Sequence, residues 1–136
     1  MNEYILKVNE VQLREIRDAM EIKARLYMGQ FDLALNCLLD ENGNSVNTYS
    51  IINDVKDIIN DIPNFKKCSL GMFEKPDLDW EIYTSIRYTL AWDKAIEDGI
   101  TTEYGNRNWK EMMTVDYDEP LQYTKHPLPI IKKLNN

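Results

Sequence analysis

Apolar residues recur at helical spacing through most of this chain and alternate in only two places. Tyr4, Leu6 and Val8 alternate with Ile5 and Lys7, which predicts a short strand. Asn9 then stands three positions before Gln12, the spacing of a capping box, in which each residue satisfies the other's backbone amide. Leu13, Ile16, Met20, Ala24 and Tyr27 follow at intervals of three and four, so a helix docked by one face is expected. Gly29 interrupts the pattern, and Phe31, Leu35 and Leu38 resume it to about Leu39. The stretch 40–47 is turn-rich, and Ser45 or Asn47 offers a cap for the next helix. That helix carries Ile51, Ile52, Val55, Ile58, Ile59 and Ile62 on a broad apolar face and ends before Pro63.

Residues 64–76 show no period. Lys66 and Lys67 form a basic doublet there, and Ser69 and Gly71 could offer donors to an anion. No Walker loop or dinucleotide fingerprint is present, and a plain connector is the simpler reading. Asp77 is the expected cap of a long helix running to about Glu97 and stopping near Gly99. This helix has more than one apolar stripe: Ile82, Ile86 and Leu90 form one, Trp80 and Tyr83 lie with Arg87 on a second, and Tyr88 and Trp92 make a third. Aromatic faces beside a guanidinium suit stacked bases and phosphates. The plainer alternative is that the aromatics fill a core or an interface while Arg87 pairs with Glu81 or Asp93.

After a polar stretch at 100–108, Trp109, Glu111, Met113, Val115 and Tyr117 alternate with Lys110, Met112, Thr114, Asp116 and Asp118, which predicts the clearest strand of the chain. Pro120 ends it, and Pro127 and Pro129 keep the tail extended. The order strand, two helical pieces, helix, long helix, strand and tail gives an expected α+β fold. Helices would pack on one face of a small antiparallel sheet, in a single domain over residues 1–136. Two strands are too few to stand alone, so oligomerisation that joins sheets or buries the tail is expected.

Composition narrows the function. The chain has 136 residues, 43% hydrophobic and 29% charged, which suits one soluble domain. No apolar run approaches the roughly 20 residues of a membrane span, and no signal peptide is visible at the start. Cys37 and Cys68 lack CxxC spacing, so free thiols in a reducing cytoplasm are expected. A net charge of −7 argues against a broad basic face for DNA but leaves room for a small anion held by a few arginines.

Catalytic chemistry is thinly represented. His126 is the only histidine and has no zinc-site companions. Cys37 reads as a small core residue. Asp116 and Asp118 would share one side of a strand and could hold a divalent ion in a hydrolase, although acidic strand ends are common. No catalytic residue, metal or cofactor is therefore assigned. Binding has more support: there are eight tyrosines and three tryptophans, and three arginines lie beside aromatics. These are Arg25 near Tyr27, Arg87 near Tyr83 and Tyr88, and Arg107 near Tyr104 and Trp109. Arginine forks suit phosphate oxygens and aromatic faces suit bases, while cation–π packing is the plainer reading.

Three segments together resemble a family of small tailed-phage proteins: residues 25–31 (RLYMGQF), residues 82–92 (IYTSIRYTLAW), and residues 115–120 (VDYDEP) followed by 127–129 (PLP). The family is identified as the phage anti-CBASS sponges. The resemblance implies an immune-evasion protein in the cytoplasm of an infected bacterium. It would sequester a cyclic oligonucleotide such as 3′3′-cGAMP without cleaving it, as a symmetric homo-oligomer for which a tetramer is expected. Chemistry in this chain then nominates Arg25, Arg87 and Arg107 for phosphates and Tyr83, Trp92, Tyr104 and Trp109 for bases or ribose. Asn106 and Gln30 are nominated for base edges. Two other readings stand beside this one: a signal-degrading phosphodiesterase, and an acidic protein that inhibits a host protein by direct contact.

Overall fold

The computed structural model describes residues 4–31, 33–34, 42–43, 49–61, 77–106, 112 and 114–134. Of these, 56% are helical and none is in a strand, so the expected α+β fold with an antiparallel sheet is overturned. In chain order the elements are α1 (Glu10–Tyr27), α2 (Tyr49–Asn60), α3 (Asp77–Glu97) and a single 3₁₀ turn at Val115–Tyr117. Leu33 and Ala34 are also helical. No helix among the described residues is long and apolar enough to cross a membrane.

Both predicted strands fail for identifiable reasons. Residues 4–9 form neither helix nor strand and have no strand partner among the described residues, and Tyr4, Ile5 and Leu6 stand in solvent. Alternation shows that a segment is extended and two-faced, whereas pairing needs a second edge from elsewhere. At the second site, the amide of Tyr117 donates to the Thr114 carbonyl and that of Asp118 to the Val115 carbonyl. These local bonds close a 3₁₀ turn. Side chains of α3 then take two carbonyls of the turn: Arg87 Nη2 donates to Val115 O at 3.3 Å, and Trp92 Nε1 donates to Tyr117 O at 3.3 Å. Residues 107–111 and 113, the remainder of that predicted strand, lie outside the described residues.

The helices begin and end as local chemistry dictates. The Asn9 amide donates to Gln12 Oε1 at 3.0 Å and the Gln12 amide to Asn9 Oδ1 at 2.9 Å, a reciprocal capping box at the start of α1. Gly29, at φ 73°, ends α1 in a Schellman motif: Gln30 N–H reaches Arg25 O and Gly29 N–H reaches Leu26 O. Gly99, at φ 71°, ends α3 the same way through Ile100 to Ala95 and Gly99 to Ile96. Ile100 and Ala95 belong to one apolar cluster, the contact that accompanies this motif. Asp77, the expected cap, is the first residue of α3.

The chain divides into two compact units, residues 1–20 with 78–136, and residues 21–77. In the second unit Ala24, Phe31 and Ile52 are buried, while Ile51 and Ile58 of the expected apolar face of α2 are exposed. The proposed caps Ser45 and Asn47, and Cys37, Ile62 and residues 64–76, lie outside the described residues. The first unit is built on α3, which is buried on several faces at once: Tyr83, Ile86, Leu90, Trp92 and Ala95, but also Thr84, Ser85 and Thr89. The three hydroxyls cost little to bury because each donates to a carbonyl one turn back. Thr84 reaches Trp80 O at 2.8 Å, Ser85 reaches Glu81 O at 2.7 Å and Thr89 reaches Ser85 O at 3.0 Å.

Candidate functional site

Two aromatic groups occupy α3, and they differ in what they leave accessible. The larger is closed. Trp92 is 0% exposed and packs with Ala95 and Met112. Tyr104 stacks on it at 5.8 Å with rings 21° apart, and Tyr117 meets its edge at 5.5 Å. Tyr88 lies edge-on to Tyr104 at 5.8 Å. Trp92 thus spends both its faces on protein and presents none to a base in this chain. The Tyr104 hydroxyl donates to Asp93 Oδ1 at 2.7 Å and lies 3.3 Å from Thr89 O. Burial raises the pKa of this phenol well above its ordinary value, and the hydrogen bond to the Asp93 carboxylate and its charge add to the effect.

The smaller group surrounds Arg87. Its guanidinium lies 5.1 Å from the centre of the Tyr83 ring, and Tyr83 contacts Trp80 at 5.1 Å. Arg87 pairs with Asp116, with Nε 3.3 Å from Oδ1, rather than with Glu81 or Asp93. That approach lacks hydrogen-bond geometry, so the buried Nε–H has an anion beside it but no acceptor in line. Arg87 is 19% exposed and Asp116 48%, which places the pair at the surface of the first unit.

Arg25 and Gln30 meet in the second unit. Arg25 Nη1 donates to Gln30 Oε1 at 2.8 Å, and Nε donates to Glu21 Oε1 at 2.8 Å. The Schellman turn at Gly29 brings the two together. Asn106 sits in the turn after α3, where its carbonyl accepts the Thr101 hydroxyl at 3.1 Å. Arg107 and Trp109 lie outside the described residues. The nominated residues therefore form three local sets (Tyr83 with Arg87, Trp92 with Tyr104, Arg25 with Gln30), with Asn106 apart. Among the described residues no three His, Cys, Asp or Glu side chains converge on a metal-sized space.

Sequence reasoning offered Glu81 only as a partner for Arg87 and missed its role as the anchor of the loop at 123–124. It is 0% exposed, on the helix that is most completely buried among the described residues. Its Oε1 accepts the amides of Tyr123 and Thr124, and its Oε2 accepts the Thr124 hydroxyl at 2.7 Å. Gln122 Nε2 braces this loop by donating to the carbonyls of Thr124 and His126 at 3.1 and 2.9 Å. Burial alone would push the Glu81 carboxyl up. The Thr124 amide and hydroxyl, the Tyr123 amide and the charge of His126 outweigh it and hold the group below the ordinary carboxylate value. The signal in the sequence was a lone glutamate between Trp80 and Ile82, with Ser85 one turn on; nothing nearby in sequence names its partner 42 residues away.

One groove runs between α1, α3 and the tail. It is lined by Leu13, Thr89, Leu90 and Ile131 and ringed by charges of both signs, and it encloses about 250 Å³. That is below the roughly 300–1,000 Å³ of sites that bury a drug-sized ligand. Comparison with known protein families, with curated proteins and with solved structures finds no match to this chain.

Proposed function

We propose that this protein binds a phosphate-bearing nucleotide stoichiometrically and sequesters it. The ligand is a cyclic oligonucleotide signal such as 3′3′-cGAMP, in keeping with the resemblance to phage anti-CBASS sponges. The observation that carries the reading is the Arg87 guanidinium: over the Tyr83 ring, near the surface, with an Nε–H whose anionic neighbour among the described residues, Asp116, is out of line. A phosphate oxygen replacing the Asp116 carboxylate would take that hydrogen in line and gain a charge-assisted bond. The Tyr83 ring lies 5.1 Å from the guanidinium, and this contact limits the ordering cost on binding. Trp92 supports the site as core rather than as a stacking surface.

The test is calorimetric titration of the protein with a panel of cyclic di- and trinucleotides, repeated with Arg87→Ala and Arg87→Lys. Loss of one charge-assisted contact to phosphate corresponds to about 1.5–3 kcal/mol, or roughly a 10- to 150-fold weaker Kd for Arg87→Ala. Lysine keeps the charge but not the planar fork and should recover only part of the affinity. Equal affinity in all three proteins would remove Arg87 from the site.

A further inference from the structure

The groove between α1, α3 and the tail has an apolar floor. Leu90 of α3 is buried there, and Leu13 of α1 and Ile131 of the tail are half-buried. Thr89 adds no polar demand: its hydroxyl donates to Ser85 O at 3.0 Å, and its carbonyl accepts the Tyr104 hydroxyl at 3.3 Å. Such a floor favours an apolar group and leaves a polar one without a partner.

The charges around the floor are almost all spent on protein. Glu10 pairs with Arg14, Nη2 lying 2.6 Å from Oε1. Glu97 pairs with Lys133. Asp93 accepts the Tyr104 hydroxyl at 2.7 Å, and Lys94 pairs with Asp98 at 2.9 Å. Lys132 is the exception. It lines the groove, is exposed, and has no acid partner among the described residues. The lining holds four bases against three acids, in a chain whose net charge is −7. The tail that supplies one wall belongs to residues 120–136, the longest stretch of the sequence without an acid, and that stretch carries three lysines. An anion entering the groove meets an ammonium with no competing carboxylate, whereas a cation meets acids that already have partners.

Volume and charge limit the anion. An apolar cavity of roughly 150 Å³ accepts a benzene ring. The groove encloses about 250 Å³, room for one ring or a branched chain of that size with a small head group. A single unpartnered lysine matches a single negative charge. A phosphate monoester carries close to two, and would set the second beside Asp93 and Glu97.

We infer that this groove binds a small amphipathic carboxylate, its apolar part on Leu13, Leu90 and Ile131 and its head group at Lys132. The inference does not rest on nucleotide binding, since neither Arg87 nor Asp116 lines the groove. It is tested by NMR titration of the isotope-labelled full chain with benzoate, using benzamide, benzylamine and inorganic phosphate for comparison, and repeated on Lys132→Gln. Lys132 is exposed, so the variant should keep the helical circular dichroism of the parent. Saturable shifts are expected at Leu13, Leu90 and Ile131, with a benzoate Kd of about 1 mM, in range for a ligand of about nine heavy atoms. Benzamide should bind about 5-fold more weakly, and Lys132→Gln should weaken benzoate about 5-fold while leaving benzamide unchanged. Benzylamine and inorganic phosphate should leave the three residues unshifted. Absence of shifts at these residues up to about 20 mM benzoate would overturn the inference. So would an equal response to benzylamine or inorganic phosphate, or a benzoate affinity that Lys132→Gln leaves unchanged.

Discussion

Replacing Glu81 with glutamine probes the contact that anchors the tail. In the native chain one carboxylate accepts three hydrogen bonds, two from the Tyr123 and Thr124 amides and one from the Thr124 hydroxyl. Bonds to a charged acceptor contribute about 1.5–3 kcal/mol each, against about 0.5–1.5 for neutral ones. Glutamine keeps an oxygen for the two amides but loses the charge and turns an amide toward Thr124. The expected cost is about 2–3 kcal/mol at neutral pH. Glu81→Ala also leaves a cavity and bare donors, and should cost about 3–5 kcal/mol.

The pH dependence has a definite sign. The folded-state pKa of Glu81 is depressed below its ordinary value of 4.5. Its contribution is therefore complete above that value and is lost as pH falls through the lower, folded-state value. Urea unfolding followed by tryptophan fluorescence should show the parent more stable than Glu81→Gln at pH 7, with the gap closing below the ordinary carboxylate value. Amide exchange at Tyr123 and Thr124 should accelerate by roughly 30- to 150-fold in the variant, the same free energy read locally. Equal stability at pH 7, or a gap that persists unchanged into acid, would refute the assignment of a buried, charged anchor.

Other substitutions test the rest of the account. Trp92→Ala, at a fully buried site, should cost about 3–5 kcal/mol in unfolding experiments, and Trp92→Phe about 1–3 because it keeps an aromatic ring but loses the bond to Tyr117 O and leaves a small void. An absorbance titration should show a tyrosine that ionises well above the ordinary tyrosine value, and Tyr104→Phe should abolish that late step. Because its pKa is raised, its contribution is present below the ordinary value of 10.0 and is lost as pH rises through the higher folded value. Gly99→Ala should cost about 1 kcal/mol by thermal melt, from backbone strain alone, since a methyl there meets no atom within 4 Å.

Local chemistry was readable in the sequence, and non-local chemistry was not. The capping box of Asn9 and Gln12, the glycine stops at Gly29 and Gly99, and the span of α3 each depend on residues a few positions apart. The strand expectation at 109–117 failed where distant groups intervene: Arg87 and Trp92, at least 25 residues away, take carbonyls that a sheet would use. The three stripes on α3 were legible, but their meaning was not. Surplus aromatic surface on one helix is expected for a ligand platform and also for a helix buried on several faces, and spacing alone does not separate the two. For Trp92 the structure places the ring in the core. For Tyr83 it places a half-buried guanidinium over the ring, and that is where the binding proposal now rests.

Recovery of ligand after denaturation tests sequestration most directly. The protein is mixed with the cyclic nucleotide that it binds in calorimetry, free ligand is read by chromatography, and the mixture is heated and read again. Free ligand should fall by one site's worth per site and return intact and complete on heating, with Arg87→Ala leaving most of it free throughout. Ligand that disappears and returns as linear or smaller products would contradict the account, because the protein would then be destroying the signal rather than holding it.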